Sequence, residues 1–247
     1  MIETLQAIPG LPVIALAVLA AGLVYGFAGF GAALIVMPLA TIYLDPLIVI
    51  AAFSLSALSS LVTVVPGALR DAHIPAVSTM VLTSWLGIPL GLFLLTSVDV
   101  TAVRWAVSAI VAGTLVTLIA GWRYQGSPGP RAWVGIGGLV GVMGGSTGLN
   151  GPALALFQLS GPDGAAQSRA NTIVVLTLNS LAMMPLMALQ GLLTREALVL
   201  GAALFPVYAC GTWVGKQLFN PARVGLYRRT AYTIIAAAAV VGLPIWN

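Results

Sequence analysis

Gly144-Gly-Ser-Thr-Gly-Leu-Asn-Gly-Pro152 lies inside a charge-free stretch, residues 132–162, and Gly26-Phe-Ala-Gly-Phe-Gly31 lies inside another, residues 11–44. These stretches run to 31 and 34 residues, whereas one helical crossing of about 30 Å of hydrocarbon takes about 20 residues. Each is too long for one straight crossing and too short for two full ones, and each is interrupted by its glycine cluster. The reading is a pair of short half-helices meeting at a glycine-rich corner, with the second members starting after Gly31 and after Gly151. The other charge-free stretches, 46–69, 74–98, 105–122, 170–194, 197–215 and 230–247, each suit a single crossing.

Composition agrees with a chain solvated by lipid. Of its 247 residues, 60% are apolar and 6% charged, and the mean hydropathy is +1.05. A soluble domain carries about 25% charged residues, far more than this chain has to cover a water-facing surface. Ten Lys and Arg against six Asp and Glu give a net charge of +4. The basic residues fall where loops must be and form no run interleaved with aromatics, so nucleic acid is not an expected partner. Cys210 is the only cysteine and His73 the only histidine. An internal disulfide, a cysteine metal cage and a histidine-rich metal site are excluded, and no cofactor is expected. Met1-Ile-Glu-Thr lacks a basic n-region and no small-residue cleavage site follows, so a removed signal peptide is not expected.

Loop charges choose the topology. With both long stretches read as down-and-back pairs, there are ten segments and both termini are extracytoplasmic. Arg70, Arg123, Arg131, Arg169, Lys216, Arg223, Arg228 and Arg229 then lie on the cytoplasmic side and only Arg104 and Arg195 outside. Single crossings of both stretches give a poorer split of six to four. These arginines are read as topology anchors.

The chain also matches itself. Gly87, Gly91 and Arg104 match Gly211, Gly215 and Arg228 at an offset of 124. Upstream, Gly22-Leu-Val matches Gly138-Leu-Val, Pro38 matches Pro152 and Pro66 matches Pro185. The expected fold is all-α and polytopic, two inverted-topology repeats, each a broken pair plus three full spans. Residues 1–122 form the first repeat, 123–131 a cytoplasmic linker and 132–247 the second. Interrupted apolar segments at corresponding places in inverted halves point to a transporter's binding site. Gly87, Gly91, Gly211 and Gly215 fit the plainer role of letting helices pack closely.

Gly22-Leu-Val-Tyr-Gly-Phe-Ala-Gly-Phe-Gly-Ala-Ala-Leu-Ile-Val-Met-Pro38 and Gly138-Leu-Val-Gly-Val-Met-Gly-Gly-Ser-Thr-Gly-Leu-Asn-Gly-Pro152 resemble the paired signatures of the sulfite exporter TauE/SafE family. The resemblance spans nearly the whole chain. It implies a multi-pass permease of a bacterial-type cytoplasmic membrane that exports sulfite or a related small sulfur-containing anion such as a sulfonate. The first corner departs from the family's pattern in carrying Phe27 and Phe30 where further glycines are common. The expected partners are a small anion and the bilayer, with a second copy of the chain a candidate.

An anion deep in a membrane needs donors, and a fixed cation there is expensive. Helix N-termini offer unpaired N–H groups and the positive end of a dipole. The candidate substrate residues are therefore Gly29 and Gly31 at the first corner and Gly145, Ser146, Gly148, Asn150 and Gly151 at the second. Asn150 or Gly151 could cap the second half-helix with Pro152 at its first position; Asn-Gly-Pro also reads as a tight turn. Asn171, Val175 and Asn179 share one helical face with Thr172 beside them, and amides in lipid must find partners. That face turns inward, toward substrate or toward another helix. Ser54, Ser56, Ser59, Ser60 and Gln158 are weaker candidates, since such serines often bond back to their own helix.

Two other classes compete with transport. Gly144-x-Ser146-x-Gly148 matches a nucleophile elbow, but that motif needs a histidine base in reach, and His73 belongs to a loop of the first half; the chain is not expected to be an enzyme. A non-transporting accessory subunit, or an importer coupled to an ion, is the alternative.

Overall fold

The computed structural model describes residues 5–121, 129–158, 164–219 and 224–245, and among these every regular element is a helix. The first broken stretch gives α1 (Leu11–Ala28) and α2 (Ala32–Ala40). Next come α3 (Pro46–Ala57), two single-turn pieces α4 (Ser60–Thr63) and α5 (Val65–Ala68), α6 (Ile74–Ser97) and α7 (Val100–Ile119). The second broken stretch gives α8 (Pro130–Thr147) and α9 (Gly151–Gln158), followed by α10 (Ala165–Leu189), α11 (Arg195–Leu218) and α12 (Val224–Val241). Of the expected linker, residues 123–128 lie outside the described residues, as do Arg223 and Asn247.

Six helical segments are long and apolar enough to cross a bilayer: Leu11–Ala28, Pro46–Thr63, Ile74–Ser97, Val100–Ile119, Ala166–Leu189 and Arg195–Leu218. Large apolar side chains such as Leu86, Phe93 and Leu189 stand exposed on the outside of the bundle, where lipid rather than water solvates them. The chain is a multi-pass membrane protein. Short polar turns join the spans. The Asp45 carboxylate accepts from the Leu47 N–H at 2.8 Å, and Asp99 accepts from Thr101 at 2.7 Å. Thr194 Oγ1 caps α11 by accepting from the Ala197 N–H at 3.1 Å, so orphan N–H groups at three helix starts are satisfied by side chains.

Both long stretches are broken. Gly29 closes α1 at φ 82° with its N–H on the Tyr25 carbonyl at 2.8 Å, and Gly148 closes α8 at φ 73° with its N–H on the Gly144 carbonyl at 3.0 Å. These are left-handed C-terminal caps, which glycine adopts without a Cβ clash. The pairs are unequal, unlike the expected pair of short halves. α1 and α8 have 18 residues each, about 27 Å at 1.5 Å per residue, whereas α2 has 9 and α9 has 8. The corners sit at the left-handed glycines, close to the middle of each long stretch. The stretch 46–69, expected as one span, is itself divided. Pro66 brings no N–H to the helical ladder and lies in the first turn of α5, while Pro185 is absorbed inside continuous α10.

Glycines let two helix pairs touch backbone to backbone. A Cβ on Gly22 would come within 2.8 Å of the Tyr208 carbonyl oxygen, and one on Gly87 within 2.6 Å of the Gly138 carbonyl oxygen. Farther along, Gly26 faces the Gly215 Cα and Gly91 faces the Gly145 Cα, both at 2.8 Å from the Cβ position. The contacts advance together on both members, so α11 runs parallel to α1 and α6 parallel to α8. They also fix a register. Gly22, Gly26 and Gly29 correspond to Gly141, Gly145 and Gly148, an offset of 119 that relates Pro66 to Pro185 as well. The sequence match of Gly22 to Gly138 is thus displaced by about one turn. Pro38, inside α2, is not the counterpart of Pro152, at the start of α9. Backbone contact, rather than the shared Gly-Leu-Val triplet, sets the correspondence.

Candidate functional site

The two corners meet. A Cβ on Gly151 would lie 3.9 Å from the Gly31 backbone nitrogen, so the first turns of α2 and α9 face each other. Between them lies a cavity lined by Gly31, Ala32 and Ala33 from α2 and its cap, by Asn150, Gly151 and Pro152 from the second corner, and by Tyr25, Thr177, Ser180 and Tyr208 from the flanking helices. Phe53, Ala57, Leu34 and Leu176 complete the wall. About 20 Å³ is open to the centres of water-sized bodies, room for one or two waters at about 10–15 Å³ each. An oxyanion larger than water therefore requires the walls to part.

The lining has no charged side chain. Its polar groups are an amide, four hydroxyls and the leading N–H groups of two helices, which lack intrahelical partners. The positive ends of both helix dipoles converge on the cavity. This is the donor set that takes up an anion without a fixed countercharge.

Of the residues expected from sequence, Gly31, Asn150 and Gly151 line this cavity. Asn179 stands just behind it. It is fully buried, its Nδ2 lies 3.0 Å from where a Cβ on Gly144 would be, and Asn150 Cβ lies 3.1 Å from that same point. Among the described residues neither Nδ2 nor Oδ1 of Asn179 has a hydrogen-bond partner. The others lie elsewhere. Gly29 abuts Arg169 and Ile173, Gly145 packs on Gly91, and Gly148 faces Met37 and Ile50. Ser146 Oγ donates to the Val142 carbonyl at 2.8 Å and Thr172 Oγ1 to the Ser168 carbonyl at 2.8 Å, bonds within their own helices. Asn171 is buried on the inward face, but its Oδ1 accepts from the His73 N–H at 2.8 Å and so caps α6. Among the weaker candidates, Ser56 bonds back to the Phe53 carbonyl. Among the described residues Ser59 Oγ and Gln158 Nε2 are buried without partners.

Sequence reasoning passed over the aromatic hydroxyls. Tyr25 OH donates to the Ile173 carbonyl at 3.0 Å and shares a 3.0 Å hydrogen bond with Thr177 Oγ1, tying α1 to α10. Tyr208 is buried, 6.0 Å from the Tyr25 ring and edge-on to Phe53 at 5.6 Å. The available signal was a tyrosine inside the first glycine motif, since a buried phenol needs a partner nearby.

Arg169 is more than a topology anchor. Its Nε donates to the Phe27 carbonyl at 3.0 Å, a terminal nitrogen donates to the Gly26 carbonyl, and the guanidinium lies 4.3 Å from the centre of the Phe219 ring. It covers the end of α1 beside the first corner. His73 does not reach the nucleophile-elbow motif and lies against Trp133 at 5.6 Å. Trp133 and Ser146 stand at opposite ends of α8, 13 residues or about 20 Å apart along the helix.

Helices that break at glycines and face each other around an uncharged cavity with a few polar groups are the arrangement of a multi-pass membrane protein of the transporter type. The chain belongs to the sulfite exporter TauE/SafE family, whose model matches residues 14–241. That family consists of transporters rather than enzymes. No curated protein and no solved structure matches the chain.

Proposed function

We propose that the protein exports sulfite, or a small sulfonate of similar head group, across a bacterial cytoplasmic membrane, holding the anion between the N-termini of α2 and α9. The observation that carries this reading is the approach of Gly151 to the Gly31 nitrogen at the mouth of a cavity lined by hydroxyls and an amide. The chain divides into an inverted pair, 1–122 and 132–247, joined by 123–131, with both termini extracytoplasmic. The facing N-termini of α2 and α9 support the inversion, because two helices that start toward each other run in opposite directions. Each corner would then descend from its own side of the membrane and meet the other inside it.

Export follows from the electrical gradient. An anion leaving a cell with a negative interior gains about 2.3 kcal/mol per charge per 100 mV. The cavity wall contains no carboxylate for a proton relay, and the electrical gradient alone suffices to drive outward movement. The test is counterflow in liposomes carrying the purified protein, with sulfite, sulfate, thiosulfate and a small aminosulfonate. Saturable exchange of sulfite or the sulfonate is expected. Protein that exchanges none of the four and gains no thermal stability from any of them would be an accessory subunit instead.

A further inference from the structure

The two corners share a left-handed glycine cap, Gly29 and Gly148, but not an electrostatic environment. At each, a long helix ends with its carbonyls, the negative end of its dipole, beside the N-terminus of the short helix that follows. At the second corner neutral hydroxyls of the same helix bond one turn back from its end: Ser146 Oγ donates to the Val142 carbonyl and Thr147 Oγ1 to the Met143 carbonyl, at 2.8 and 2.9 Å. At the first corner a cation from another helix covers the last-turn carbonyls themselves, with Arg169 of α10 donating to both Gly26 and Phe27. Gly29 lets it in, because a Cβ there would come within 2.8 Å of Arg169 Cγ. Among the described residues no cation bonds the carbonyls of the second corner.

We infer that Arg169 is a positioning residue for the anion: by neutralising the carbonyl end of α1 it leaves the N-terminus of α2 as the stronger half of the site, so the anion sits nearer Gly31 than Gly151. The inference rests on the anion site proposed above. Arg169 does not line the cavity. Without it, the exposed Gly26 and Phe27 carbonyls would oppose the α2 dipole at the place where the anion enters. The charge matters more than the geometry of the fork.

The experiment is sulfite counterflow in liposomes, reading KM and Vmax separately, for wild type, R169Q, R169K and F219E. R169Q should raise KM about tenfold, the scale of one charge in a poorly screened site, with Vmax within about twofold of wild type. R169K keeps the charge and should keep KM within about threefold. F219E leaves the Arg169 bonds in place but sets a carboxylate against the guanidinium, and should raise KM as R169Q does. If R169Q fails to insert, F219E decides alone. An unchanged KM in R169Q or F219E would reduce Arg169 to a helix cap and overturn the inference while leaving the transport reading intact. A wild type inert to sulfite would remove the reading beneath it.

Discussion

The Gly31 backbone nitrogen lies 3.9 Å from the point a Cβ on Gly151 would occupy, so the N-termini of two short helices from opposite halves of the chain face each other. That separation is ordinary van der Waals contact for a methyl group, and Gly151 does not have the left-handed φ of Gly29 or Gly148. Gly151→Ala should therefore insert and fold, with thermal stability in detergent near wild type. It should raise the KM for anion counterflow severalfold, because the new methyl stands between the anion and the N–H groups.

Gly148→Ala answers a different question. Its φ of 73° would be imposed on a side chain, at about 1–2 kcal/mol, and the new Cβ would come within 2.8 Å of Met37 Sδ. Loss of transport in this variant should be accompanied by a clear drop in melting temperature. A Gly148→Ala protein as stable as wild type would mean that the corner is looser than described.

Asn179 separates structure from function. A buried amide with both ends unpartnered costs stability, and an apolar residue of the same shape removes that cost. Asn179→Leu is expected to melt at or above the wild-type temperature while transporting the anion more slowly. Asn171→Leu should do the reverse: its amide caps α6 at the His73 N–H, and losing a cap costs about 1 kcal/mol. Thermal melts paired with counterflow rates distinguish the two.

The helix pairs that touch through glycine should tolerate no side chain. At Gly26 and Gly91 a Cβ would strike the carbonyl oxygens of Thr212 and Val142, and overpacking of this kind costs about 1–3 kcal/mol. Gly26→Ala and Gly91→Ala should destabilise by similar amounts, measured as thermal unfolding in one detergent. Gly138→Ala, where a Cβ meets nothing within 4 Å, should be neutral.

Tyr25→Phe removes the hydroxyl that joins α1 to the Ile173 carbonyl and to Thr177. A loss of about 1 kcal/mol is expected, together with altered anion selectivity in counterflow competition, since the same hydroxyl lines the cavity. Wild-type stability and selectivity would mean that this bond holds nothing in place.

Composition and spacing by themselves determined the solvent, the helical class and the two broken stretches. Lipid cannot satisfy a backbone N–H, which leaves helices or closed barrels, and charge-free runs of about 20 residues or more are the length of helical spans rather than of barrel strands. A charge-free run of 31 or 34 residues with a glycine cluster inside it does not fit one helix across about 30 Å. The inward face of Asn171, Val175 and Asn179 was legible for the same reason, and all three are buried. The roles along that face were not. Asn171 is used by a helix start distant in sequence and Asn179 is left without a partner, yet four-residue spacing treats them alike. Gly22-Leu-Val and Gly138-Leu-Val look equivalent as letters, but the register is set by which Cα atoms can touch. Tyr25, Thr177 and Tyr208 come together only because α1 packs beside both α10 and α11. Arg169 looks like any cytoplasmic arginine until the fold lays it on the carbonyls of Gly26 and Phe27. Periodicity reports the direction a side chain faces relative to its own helix; what it meets there depends on the other helices, and only the tertiary structure supplies them.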